Sequence, residues 1–135
     1  MAERDLKTLL ASLKIKYHEG VWRFETIPAE ASSWADLITL QNVRDIAMLF
    51  REDEGLTIIL RAAANTPADN QWAWLELSVS SDLQAVGFLA AVSNALAEAD
   101  IPCNAVAAYH HDHLFVPADK VEAAVAALEG LSASA

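Results

Sequence analysis

Residues 72–99 read WAWLELSVSSDLQAVGFLAAVSNALAEA, and the change of period inside this stretch decides the fold. Trp72, Trp74 and Glu76 fall on one face of a strand, while Leu75, Leu77 and Val79 fall on the other. Ser80-Ser81-Asp82 then offers side-chain oxygens that can cap a helix. From Leu83 to Ala99 the positions Val86, Leu89, Ala90, Val92, Leu96 and Ala97 make a broad apolar helical face. Asp100 and Pro102 stop it.

Downstream, Ala105 to Tyr109 and Leu114 to Val116 read as short strands around His110-His111-Asp112-His113. Pro117 opens a last helix through Val121, Ala124, Val125, Leu128 and Leu131, with Gly130 as its expected C-terminal cap. The order is strand, helix, strand, strand, helix. That is most of a ferredoxin-like βαββαβ module, short of its last strand.

Upstream, Asn65 to Gln71 is turn chemistry, and the expected boundary divides the chain into modules at residues 1–66 and 67–135. In the first module, Leu6, Leu9, Leu10 and Leu13 keep helical spacing. Ile15 and Tyr17, then Trp22 and Phe24, alternate as strands on either side of an expected Glu19-Gly20 turn. Ile46–Phe50 and Leu56–Leu60 form a hairpin around Arg51-Glu52-Asp53-Glu54-Gly55. Residues 28–45 carry no decisive pattern. The fold class expected is α+β, two small modules with antiparallel sheets. About 68 residues is little core for one domain, so the halves are expected to share an interface or to dimerise.

A net charge of −10 opposes binding to nucleic-acid phosphates and to anionic membranes. The single cysteine, Cys103, excludes an internal disulfide. No run of about 18 apolar residues is present to span a membrane. The N-terminus lacks a signal-peptide pattern, so a cytoplasmic location is expected. Nucleotide-binding, metalloprotease, redox and hydrolase motifs are absent, and no enzymatic activity or cofactor is expected.

Three stretches, FREDEGLT at residues 50–57, SSDLQAVG at 80–87 and YHHDHLFV at 109–116, resemble those of ACT-domain proteins, in particular short bacterial chains with two ACT-like halves in tandem. The resemblance spans residues 46 to 128. It implies a regulatory protein that holds an amino acid or similar small metabolite between modules. As no catalytic domain is attached, any output would go to a separate partner enzyme. The loop ahead of the helix is the family's usual contact region, which maps onto Asp82 and Gly87, with Asn104 at the start of the next strand. Glu54, Gly55 and His113 from the hairpins complete the expected ligand set. A ligand-free dimerisation or partner-docking module is the alternative reading.

The residues themselves offer a similar argument. Amides at a helix start favour an anion such as an α-carboxylate, and Asp82 could receive an amino group. A plain helix cap at Ser81 or Asp82 is the competing account. The His110–His113 cluster has zinc or nickel ligand types. Neighbours on a strand point to opposite faces, however, so only His111/His113 and His110/Asp112 share a side. Each pair would need ligands from elsewhere. A polar turn supported by Asp112 is the simpler expectation, and no metal site is expected. The Glu52–Glu54 acidic run is expected to be a solvated turn, and Cys103 a small buried residue.

Overall fold

The computed structural model describes residues 4–29, 43–79 and 85–135. The chain divides into two compact units, residues 20–71 and residues 1–19 together with 72–135. This differs from a single cut at 66/67, because the N-terminal segment groups with the C-terminal half.

The larger unit opens with α1 (Leu6–Ala11), whose N-cap Asp5 accepts from the Thr8 amide at 2.9 Å. β1 (Ile15–Pro28) follows and runs on into the second unit. Then come β4 (Trp72–Leu77), α2 (Phe88–Glu98), β5 (Asn104–Ala107), β6 (Asp112–Pro117) and α3 (Val121–Ala133). Its strands lie in the order β1-β4-β6-β5. Both β4 and β5 are antiparallel to β6, so they are parallel to each other with α2 as the crossover. The strand missing from the second half of the sequence is supplied by the N-terminal end of β1, which takes the edge beside β4.

Alternation along β4 buries Ala73, Leu75 and Leu77 and leaves Trp72, Trp74 and Glu76 half-buried on the opposite face. The buried face packs with Leu9 and Leu13 around α1, Phe88, Val92 and Leu96 of α2, and Ala124 and Leu128 of α3. Phe88, Val92 and Leu96 recur every four residues, the spacing that keeps one helical face inward. Among the described residues, the helices of this unit therefore cover one face of its strands.

The smaller unit holds the C-terminal part of β1, β2 (Ile46–Arg51) and β3 (Gly55–Arg61), antiparallel in the order β2-β3-β1. β3 is central and buries Ile58, Ile59 and Leu60 in succession. The expected hairpin is present: Glu52 and Gly55 exchange backbone hydrogen bonds of 2.8 and 3.2 Å around Asp53-Glu54. The Thr57 hydroxyl donates to the Glu52 carboxylate. The expected linker ends in a 3-10 turn at Ala68–Asn70. From it the Asn70 side chain reaches β1, accepting from the Phe24 amide at 3.0 Å and donating to its carbonyl at 2.9 Å.

Several local expectations are corrected. No turn interrupts β1 at Glu19-Gly20; Gly20 takes a φ of +102° and the strand continues. α2 starts at Phe88 with Gly87 as N-cap, later than the expected start at Leu83. Residues 80–84 lie outside the described residues, Asp82 among them. The end of α2 is a Schellman pattern: Asp100 donates to the Ala97 carbonyl and Ile101 to that of Leu96. Asp100 sits at φ +59°, where a glycine is usual. Gly130 lies inside α3, which continues to Ala133, so it does not cap the helix. The turn between β5 and β6 is Ala108–His111, and Asp112 follows it, buried at the start of β6.

Candidate ligand-binding site

The face of the larger unit that carries no helix among the described residues collects polar and aromatic side chains. Register does this. In the β4–β6 pair, Trp74 lies opposite Phe115 and Glu76 opposite His113. Cross-strand partners present their side chains on one face, so all four lie together. β1, the neighbour of β4, adds His18.

His18 is stacked on the Trp74 indole, with ring centroids 3.8 Å apart and planes within 7°. Its Nε2 lies 2.8 Å from Oε1 of Glu76. The Trp74 Nε1–H donates to Nδ1 of His113 at 2.9 Å. His111, from the turn, places Nδ1 3.7 Å from Oε2 of Glu76, an ion-pair distance. The Glu76 side chain is only 14% exposed. One ligand atom each from His18, Glu76 and His113 lie within 4.8 Å of one another.

Burial works to raise the Glu76 pKa, but the His18 hydrogen bond and the charges of His111, His18 and His113 outweigh it. The carboxyl is therefore held below its usual range and stays ionised. Burial is also the leading influence on His113, and it lowers that imidazole's pKa despite the attraction of Glu76. A neutral ring whose Nδ1 accepts from Trp74 carries its proton on Nε2. The result is an ionised carboxylate between imidazoles on an aromatic floor, which suits a cation or an amino group.

The sequence-derived ligand set does not converge within this unit. Gly87 stands at the start of α2, where an added Cβ would meet Leu6 Cδ2 at 3.4 Å. Asn104 begins β5, beyond the other end of that 11-residue helix, whose length separates the two by about 16 Å at 1.5 Å per residue. Asn104 pairs with Phe115, two residues along β6 from His113, so these two share the helix-free face. Gly87 belongs to the helical layer. Glu54 and Gly55 lie in the hairpin of the smaller unit. Gly55 has a structural reason to be glycine: a Cβ there would stand 2.2 Å from the Ile27 carbonyl oxygen.

Sequence reasoning missed His18 and Glu76 as site members, and weighed His111 only as a partner of His113. The spacing of His111 and His113 was the available signal. Their partners come from two other strands, and only the register names them. Cys103 is partly buried, and that burial raises its thiol pKa, away from thiolate reactivity. Among the described residues, no helix is long and apolar enough to cross a membrane.

Comparison with known proteins gives a consistent picture. Two ACT-domain family models match, one over residues 1–69 and the other over residues 69–130. No curated protein matches the chain. Among solved structures, a Vibrio cholerae protein of unknown function, described as a possible transport protein, is 32% identical with a TM-score of 0.76, covering 94% of this chain and 95% of that one. An Agrobacterium tumefaciens protein is 19% identical with a TM-score of 0.68, with 89% of each chain covered. The ligand-free regulatory subunit of aspartate kinase from Thermus thermophilus is 11% identical with a TM-score of 0.63, covering 87% of this chain and 97% of that one. The last two likenesses concern the fold alone. With family models spanning both halves in tandem, the α+β architecture is of the ACT type, and the chain belongs to the ACT-domain family.

Proposed function

We propose that this chain is a non-catalytic regulatory module that binds an amino acid or a similar small metabolite at an interface between ACT-like modules. The observation that carries the reading is the start of α2, whose N-cap Gly87 has no side chain to offer the first-turn amides. The first-turn amides of a helix need acceptors, and an α-carboxylate is a fitting one. Beside it Val86 is 84% exposed, an apolar surface that a ligand or a second module would cover. Because Gly87 and Asn104 stand at opposite ends of α2, a ligand touching both would lie between two modules. Asp82, Glu54, Gly55 and His113 are the further contacts proposed, within a homodimer or on docking to a partner enzyme. The similarity to a kinase's regulatory subunit supports a regulatory role of this kind.

A thermal-shift panel of the proteinogenic amino acids tests this, since a ligand that binds only the folded chain raises Tm with its concentration. One or a few amino acids should raise Tm dose-dependently, and Asp82→Ala or Asn104→Ala should reduce the shift. If none moves Tm even at millimolar concentration, the ligand-free docking module becomes the better reading.

A further inference from the structure

We propose that His18, Glu76 and His113 form a binding site for a divalent transition-metal ion of the zinc class, on the helix-free face of the larger unit. Sequence spacing alone argued against a metal at His110–His113, because neighbouring residues on a strand diverge. The fold removes that objection by bringing ligands from two other strands.

The donor set is two imidazoles and one carboxylate, with one ligand atom from each within 4.8 Å of the others. Tetrahedral zinc with bonds of about 2.0–2.1 Å sets its ligands about 3.3–3.5 Å apart. The Glu76–His18 contact, at 2.8 Å, is already inside that span, and the set needs modest side-chain rotation to close on an ion. Three protein ligands leave a fourth position for water or for His111, whose Nδ1 lies 3.7 Å from the other Glu76 oxygen. All three side chains are half-buried, so the ion would be shielded and not merely condensed on an acidic surface.

Trp74 gives the proposal a distinctive feature. Its indole N–H occupies the Nδ1 lone pair of His113. With Nδ1 accepting and the proton on Nε2, neither nitrogen of that ring offers a metal a free pair. Capture therefore requires His113 to give up this hydrogen bond, and its Nε2 proton as well if Nε2 is to be the ligand atom. Trp74 competes with the ion, and removing its N–H should strengthen binding. A purely structural hydrogen bond between the two residues predicts no such gain.

The test uses the full, tag-free chain after chelator treatment, titrated with zinc by calorimetry and with cobalt(II) by absorption spectroscopy. The proposal expects one zinc per chain, a cobalt spectrum of intense tetrahedral type, and a zinc-dependent rise in Tm. His113→Ala and Glu76→Gln should weaken zinc binding about 100-fold, on the order of the loss expected for a ligand or its close support. Circular dichroism would check that both variants remain folded. His110→Ala, outside the set, should bind as the parent does, and Trp74→Phe should bind several-fold more tightly. Absence of saturable zinc binding at micromolar concentration would overturn the proposal. So would affinity unchanged in His113→Ala and Glu76→Gln, or lost equally in His110→Ala. The titrations contain no amino acid and the thermal-shift panel no metal, so either idea can fail without the other.

Discussion

At the residue scale, His113 shows how a side chain's chemistry is set by neighbours that the sequence does not announce. Its pKa is lowered, chiefly by burial, and that of Glu76 is lowered by its imidazole neighbours against the effect of burial. Both shifts have the same sign for stability. A group whose pKa is lower in the folded state than in the unfolded chain takes up protons preferentially on unfolding, so stability falls as pH falls. The His113 contribution is present above the ordinary histidine value of about 6.5 and is lost below it; the Glu76 contribution is lost further down, below the ordinary value of about 4.3. Urea midpoints measured from pH 8 down to about pH 2.5 should decline in two stages, and His113→Gln should flatten the first. Gly55 belongs to the same scale. A tight hairpin favours glycine there, and the closeness of the Ile27 carbonyl is a second reason for it. Gly55→Ala should destabilise the chain by about 1–3 kcal/mol in chemical denaturation, through backbone displacement and strain.

At the scale of elements, the strongly periodic segments were legible. The β4 alternation, the β2–β3 hairpin and the apolar face of α3 stand where the pattern put them, while the face expected for α2 is only partly right: Val92 and Leu96 are buried with Phe88, and Val86, Ala90 and Ala97 are exposed. What failed were starts and stops. Glu19-Gly20 looks like a turn, yet β1 passes through it, because pairing along β3 and a tolerant glycine outweigh local turn preference. Leu83 looks like the beginning of a helix, yet α2 waits for Phe88 behind a left-handed Gly87. Asn65 to Gln71 reads as a linker, yet Asn70 makes two hydrogen bonds to the Phe24 backbone, imitating a paired strand. Removing both at once should show. Asn70→Ala is expected to lower stability by about 1–3 kcal/mol, measured as a shift in the urea midpoint at constant slope.

At the scale of the whole molecule, the two-module reading holds in the family matches, while the compact units divide the chain differently. Long-range exchange of a strand leaves no local mark, which is why the missing last strand of the second half could not be traced to residues 15–19. The N-terminal segment also gives Leu9 and Leu13 to that core. A fragment of residues 72–135 should therefore fail to unfold cooperatively in a thermal melt, and adding residues 4–19 as a separate peptide should restore order. The candidate site was legible only in part, since His113 was named but its partners His18 and Glu76 lie 95 and 37 positions away along the chain. The central claim, that this chain senses an amino acid, is tested most directly by calorimetric titration of metal-free protein with each proteinogenic amino acid. A saturable heat with at least one of them, abolished by Asp82→Ala, is the predicted result; flat titrations throughout would contradict it.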